Sequence, residues 1–446
     1  MTDPTGYVEH FEYATATDLN YAWLNFELDL PLEVMPDGRP NPFYVDRPGN
    51  PVAALERALL RPFRQLPKYF FSGHRGCGKS TELRRLAANK AILARFWPVR
   101  FTIQDEADID NIDYQDVLLA IGGQMYRQYR LQGGRLPKQL LKELDGFRGK
   151  VEREVIISPR LKDSEIAGEL DAFFARAALK IKLEPHTRQI VRQVIENDIT
   201  GLIELINLIA TAIRNAGGRW PLILIDDLDK PDLARARSIF YDHRRQVLQP
   251  NCAIVYTVSS PLFYSPEFAA IQERAIFLPN VKLHERRAPD DRDSEGYRTL
   301  RMFVHKRMHP DLITKDALNR AITASGGVFR EMCRVMRYAI DRAQAAERDQ
   351  IVAEDVEWAE AEIRNDYRRV LTAEQRELLR RVRATNELDC PDELAPLLQG
   401  LAVLEYRNKS NWCDIHPVLN VLLDEEESAA KSTATQDENR DKPNDH

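Results

Sequence analysis

An α/β fold, a parallel sheet with helices on both faces followed by a helical region and a small C-terminal unit, is predicted by three observations. Short apolar, branched runs alternate with helical patterns through residues 53–295. The strand-like runs stop near residue 296, where amphipathic helical stripes take over. Residues 372–423 then read as a helix, a shorter helix and two β-like stretches.

Taken in order, residues 1–52 form a lead-in, with Pro, Gly and Asn dense from Pro31 to Pro51. The expected strands are Lys68–Ser72, Pro98–Ile103, Pro221–Ile225, Ala253–Val258 and Ile276–Leu278. Between the second and third, helical patterns at Tyr114–Leu131 and His186–Ile213 predict an inserted helical subdomain over about 113–216. Residues 296–371 form a helical domain, in which Val328, Phe329, Met332, Val335, Met336, Ala339, Ile340 and Ala343 share one stripe. The helix, the helix Pro391–Gln399 and the β-like Ala402–Arg407 and Trp412–His416 resemble a winged-helix module. Residues 424–446 carry eight acidic and three basic side chains with few apolar ones, which predicts a disordered acidic tail.

Composition removes several functional classes. The 446 residues hold 63 Lys and Arg against 69 Asp and Glu, a net charge of −6, unlike a basic nucleic-acid footprint. The most apolar stretch, Leu202–Ile213, contains Glu204 and Asn207 and is short of the roughly 20 residues that span a bilayer. The first 18 residues show no secretion-signal pattern, and the five scattered cysteines form no CxxC pair. A soluble, cytoplasmic protein without membrane partners is the expectation.

The chemistry starts at Gly73-His74-Arg75-Gly76-Cys77-Gly78-Lys79-Ser80, which fits GxxxxGK[ST] between a strand and the helical run from Thr81. Gly73, Gly76 and Gly78 allow successive N–H groups, with those of Cys77 and Thr81, to face a polyphosphate at a helix N-terminus. Lys79 adds a point charge for the β and γ phosphates and Ser80 a hydroxyl for Mg²⁺. Cys77, beside Arg75, is either a redox-sensitive thiol or a small filler. A second signal, Leu222-Ile223-Leu224-Ile225-Asp226-Asp227-Leu228-Asp229, sets carboxylates at the end of a buried strand, where open α/β sheets gather ligands. Asp226 is the candidate Mg²⁺ partner and Asp227 the candidate base for water.

Together these strings resemble the P-loop ATPases of the AAA+ and STAND superclass. HRGCGKST with LILIDDLDK is similar to signalling ATPases of STAND type, and Gly326–Arg330 resembles the lid of initiator-type AAA+ proteins. The resemblance spans about residues 45–420. It implies a P-loop NTPase sheet, a helical lid, and ATP with Mg²⁺ as cofactors. It further implies a polar sensor at Thr257 or Ser259, a trans-acting arginine finger at Arg274, and a γ-phosphate-reading lid arginine at Arg330. The segment Pro42–Arg47 would pack on adenine.

Two departures shape the expected activity. Asp227 stands where AAA+ proteins usually carry Glu, and a carboxylate one methylene shorter positions water less well, so hydrolysis is expected to be slow. Ser80 and Asp226 lie 146 residues apart, against about 30 for one βαβ unit, so the insertion is read as regulatory or partner-contacting. The expectation is a switch-type ATPase controlling self-association or an effector protein in trans, in prokaryotic defence or stress signalling. The alternative is a DNA-binding initiator or transposition-type ATPase, set second because residues 372–423 hold six basic and eight acidic side chains. Asn408–Asn411 misses the guanine-reading NKxD motif, which favours ATP over GTP. His305 and His309 lack the glutamate of HExxH and read as a solvated helix face.

Overall fold

The structure is a computed structural model that describes residues 11–155, 184–387, 391–407 and 410–428. Five parallel strands, β1 (Lys68–Ser72), β2 (Phe96–Thr102), β3 (Trp220–Asp226), β4 (Ala253–Val258) and β5 (Ala275–Phe277), form one sheet in the order β2-β3-β4-β1-β5. The expected α/β class is observed. The apolar runs are continuous because both sheet faces are covered: Ile223 and Ile225 point into one core with Phe70, Ile254 and Tyr256, while Leu222 and Leu224 point into another with Phe71 and Val255.

β4 separates β1 from β3, so the C-terminal ends of those two strands stand two inter-strand spacings apart, about 10 Å. That gap is what side chains from the two ends have to bridge. In the β2–β3 register Thr102 lies opposite Asp226, which sets a hydroxyl beside the acidic strand end.

Among the described residues, the longer helices Tyr114–Leu131, Lys138–Val155, Pro185–Asn197 and Ile199–Gly217 lie between β2 and β3. Residues 156–183, within the expected insertion, fall outside the described residues. The insertion is not simply an outlying partner surface. Val117, Leu118 and Ile121 of the first helix and Ile206, Ile209 and Ile213 of the last are buried in the same core as β3. Ile199–Gly217 is long and apolar enough to cross a membrane by composition, yet its Leu202–Ile213 face is spent on this core.

A separate apolar core joins three regions far apart in sequence. Leu19 and Ala22 of the lead-in helix Leu19–Asn25, with Phe26 just after it, pack with Met332, Val335 and Met336 of the lid helix Phe329–Ala345 and with Leu379, Leu419 and Leu423 of the C-terminal unit. Asn25 ties the lead-in down by donating from Nδ2 to the carbonyls of Ala14 and Arg307. The C-terminal unit comprises helices Ala373–Thr385 and Pro391–Gln399 and an antiparallel hairpin, β6 (Val403–Arg407) and β7 (Asn411–Ile415). The start of the expected disordered tail needs correction, because residues 419–428 are helical. Its acidic side chains meet arginines of neighbouring helices, a neutralisation that composition alone does not reveal.

Leu224 is fully buried between strands, and Leu224→Ala should destabilise the sheet by about 2–5 kcal/mol. Urea denaturation followed by circular dichroism measures this, and a loss below about 1 kcal/mol contradicts a close-packed sheet core.

Candidate functional site

The loop Gly73–Gly78 runs from β1 into the helix Lys79–Ala88, with Gly78 as the left-handed residue before its first turn. Two of its glycines have no substitute. Gly76 adopts φ +76°, and a Cβ there would overlap Arg330. Gly78 adopts φ +98°, and a Cβ would sit 2.9 Å from the Arg47 guanidinium. The loop is therefore held between the lid and the lead-in, and the Arg330 N–H donates to the Gly76 carbonyl at 3.2 Å.

A cleft of 740 Å³ opens above this loop, within the size range of small-molecule sites. Gly76 and Gly78–Thr81 form its floor, Asp226, Asp227 and Asp229 one wall, Phe329 and Arg330 its lid side, and Phe43–Val45 with Arg47 its lead-in side. Arg47 fastens these parts together. It stacks on Phe329 at 4.8 Å, donates to the Pro279 carbonyl at 3.1 Å and pairs with Glu82 of the loop helix at 3.6 Å.

Lys79 is 5% exposed and uses all three ammonium donors, on the carbonyls of Gly73 (2.6 Å) and His74 (2.8 Å) and on Asp229 Oδ2 (2.9 Å). Burial works against its charge, but the Asp229 carboxylate, with Asp226 beyond it, leaves its pKa above the ordinary lysine value. Asp226 is buried, and desolvation raises its pKa; the Ser80 hydroxyl bonded to it works the other way, and the charges of Asp227 and Asp229 raise it further. Oxygens of these three aspartates lie within 4.8 Å of one another, the one group among the described residues with metal-ligand spacing. An all-oxygen set with an adjacent hydroxyl fits a hard cation such as Mg²⁺, and three carboxylates this close gain from a positive charge between them.

Asp227 has a left-handed backbone, φ +67°. Both its oxygens are engaged, Oδ2 accepting from Thr102 Oγ1 at 2.6 Å and Oδ1 meeting Lys230 Nζ at 3.0 Å. The structure thus brings together Gly76, Gly78, Lys79, Ser80, Thr81, Asp226, Asp227 and Arg330, with Arg330 paired to Asp29 of the lead-in at 2.8 Å. Gly73 and Cys77 lie in the loop beneath the cleft, and Cys77 is buried among apolar side chains, which suits a filler rather than an oxidisable thiol.

Three expected residues lie outside the cleft of their own chain. The Ser259 hydroxyl is buried without a hydrogen-bond partner and does not line it. Thr257 is a brace, donating to the Ile225 carbonyl at 3.1 Å and accepting from the Leu228 N–H at 3.0 Å, so it fixes the turn that carries the aspartates. Arg274 sits half-exposed just before β5, near Lys68 at the opposite end of the sheet. The expected helix face shared by His305 and His309 is not observed, because the helix ends at Arg307 and His309 instead caps the turn Pro310–Leu312; residues 408 and 409 of the NKxD-like string are outside the described residues.

Sequence reasoning missed Asp229, Thr102 and His74. Asp229 was visible in the LIDDLDK string, but nothing local marks it as the partner of Lys79. His74 occupies an unspecified position of the loop motif, yet its Nε2 accepts the backbone N–H of Glu405 in β6 at 2.8 Å. Complete burial, with Lys79 nearby, pushes its pKa down to about 3, so the imidazole is neutral. The loop is thereby attached to the C-terminal hairpin.

No family model and no curated protein matches the chain. Solved structures do show a likeness. An origin recognition complex from Drosophila, bound to DNA, is 11% identical, covering 95% of each chain at a TM-score of 0.40. The ORC2 protein of Aeropyrum pernix, in ADPNP and ADP complexes, is 12% identical over 91% of this chain and 98% of that one, at 0.37. The RuvB branch migration motor of Thermotoga maritima is 12% identical over 83% and 92%, at 0.33. At these scores the likeness is one of general chain path and carries no statement about activity.

Two outcomes test this geometry. Gly76→Ala should cost about 1–3 kcal/mol through its strained backbone and clash with Arg330; a thermal unfolding midpoint equal to wild type contradicts it. Burial pushes Glu405, beside the Tyr264 hydroxyl and Arg407, up to about 7 from 4.5. A carboxyl whose folded pKa is raised contributes stability below about pH 4.5 that is lost as pH rises through about 7. His74, with its pKa depressed, contributes above about 6.5 and loses this as pH falls toward 3. Glu405→Gln should remove the first trend alone, so its stability should gain on wild type between pH 4.5 and 7 in melting experiments; a constant difference shows that Glu405 titrates normally.

Proposed function

We propose that the protein is a Mg²⁺-dependent P-loop ATPase of AAA+ type that turns over slowly and works as a nucleotide-controlled switch. The observation that carries this is the meeting of Lys79, Ser80 and three aspartates in one cleft walled by the lid and the lead-in. Backbone N–H groups of Gly76–Ser80 and the Lys79 ammonium would hold the phosphates, Ser80 with Asp226 and Asp229 would hold Mg²⁺, and Phe43–Arg47 would face the base. Mg²⁺, when bound, would supply charge neutralisation for the phosphates. Lys79 would have to exchange Asp229 for phosphate, which would leave that carboxylate free to act as a ligand. Arg330 must exchange Asp29 in order to read the γ-phosphate.

Slow turnover follows from Asp227. Its carboxylate is short, and it has to leave Thr102 and Lys230 before it can accept a proton from water. Arg274, half-exposed and distant from its own cleft, suits a finger offered to a neighbouring copy, so nucleotide-dependent self-association belongs to this reading. Binding shifts the lid only through contacts that differ between its states, and the Arg330–Gly76 approach supplies them.

The output of the switch has two readings. A protein effector in trans, in cytoplasmic defence or stress signalling, rests on the sequence resemblance alone. A DNA-handling ATPase of initiator type is favoured by the helix–helix–hairpin order of residues 373–415. In this arrangement Tyr406 and Trp412 of the hairpin are buried against Val328 and Leu404, so the hairpin's aromatic face is turned to the protein rather than outward.

Isothermal titration with ATP and ADP, turnover assays and sedimentation test the core claim. Lys79→Ala should weaken ATP binding about 10- to 100-fold, the loss of a charge-assisted contact. Asp227→Asn should retain binding, lose turnover and accumulate any ATP-dependent oligomer. ATP affinity unchanged in Lys79→Ala refutes the assignment of the cleft.

A further inference from the structure

Away from the cleft, arginines from two helices converge on one acidic segment. Arg376, Arg380 and Arg383 share a face of the helix Ala373–Thr385, at i, i+4 and i+7, and Arg368 joins them from the end of the helix Ala353–Val370. Opposite them stand four consecutive acids within the helical residues 419–428. Glu426 accepts from Arg376 at 2.9 Å with one oxygen and from Arg380 at 2.7 Å with the other. Arg383 pairs with Asp424 at 2.7 Å and with Glu427, and Arg368 pairs with Glu425.

Packing already holds this segment in place. Leu419, Leu422 and Leu423 are buried with Leu378, Leu379 and Val382 of the arginine-bearing helix. Surface ion pairs add about 0–1 kcal/mol each, and four acids in a row repel one another. Anchoring therefore does not require four aligned arginines. What the arrangement does achieve is a charge-matched cover over a cationic row.

We propose that this arginine face is a nucleic-acid backbone surface and that Asp424–Glu427 occupy it as an internal substitute for phosphates. Arginine forks match phosphate oxygens in pairs, and Glu426 bridges two guanidinium groups as one phosphate would. Arg376 to Arg383 spans seven helical residues, about 10 Å. That equals about three nucleotides of one strand at a rise of about 3.4 Å. The net negative charge of the C-terminal unit does not oppose this, because Arg376, Arg380 and Arg383 are gathered on one helix face. The ligand class rests on the DNA-handling reading above, while the masking itself does not depend on the ATP cleft.

The test compares wild type with the combined variant Asp424→Asn, Glu425→Gln, Glu426→Gln, Glu427→Gln. Duplex DNA of about 20 base pairs is the probe, in fluorescence anisotropy at about 50 and 200 mM salt. The neutral variant should bind at least tenfold more tightly, with a steeper salt dependence. Adding Arg376→Ala, Arg380→Ala and Arg383→Ala to it should abolish the gain. Unchanged circular dichroism and ATP affinity establish that the variants are folded. Equal duplex affinity for wild type and a folded neutral variant overturns the masking yet leaves the DNA-handling reading standing. Absence of duplex binding by both overturns the two together. A gain that survives loss of the arginines, or one seen with polyglutamate and not with DNA, overturns the assigned surface.

Discussion

An ammonium group 5% exposed in a protein interior needs a counter-charge, and for Lys79 that counter-charge comes from the far side of an intervening strand. Because β4 separates the phosphate loop from the acidic strand end, only a long side chain on one side and a turn beyond the other strand can meet. Asp229, three residues past the end of β3, makes that meeting possible. The pair holds the loop against the acidic turn. Under the proposed function, an incoming phosphate would have to offer Lys79 at least what Asp229 already gives it.

The same loop is restrained from two further directions. His74 receives the Glu405 N–H, and Gln399 of the preceding helix donates to the Pro231 carbonyl at 3.2 Å, just beyond the aspartates. The C-terminal unit thus touches both the loop beneath the cleft and the turn just beyond the aspartates. Lys79 also holds the His74 carbonyl, so under the proposed function a phosphate that displaced the Lys79–Asp229 pair would be felt at His74 and, through it, at the hairpin.

Local patterns made the strands and the phosphate loop legible. β1 and β4 coincide with the apolar runs at Lys68–Ser72 and Ala253–Val258, while β2 starts two residues early at Phe96 and β5 ends one residue short at Phe277. Edges are harder because the ladder, not the side chain, decides them. The site was legible where chemistry is contiguous, in GCGKS and LILIDD, and illegible where it is assembled over distance. Thr102 with Asp227 and His74 with Glu405 are 125 and 331 residues apart. Ser259 follows a strand end, where a polar residue can turn inward, as its buried hydroxyl does. The start of the acidic segment was illegible because its neutralising arginines come from two other helices.

The lead-in helix shares its core with the lid and not with the sheet, although it precedes the sheet in the chain. The polypeptide therefore crosses between the two bodies once near residues 46–52 and again near 279–294. Asn50 at φ +42° and Arg287 at φ +60° stand at these crossings. Two covalent connections rather than one therefore tie the lid core to the sheet, and any change in their separation has to pass through both.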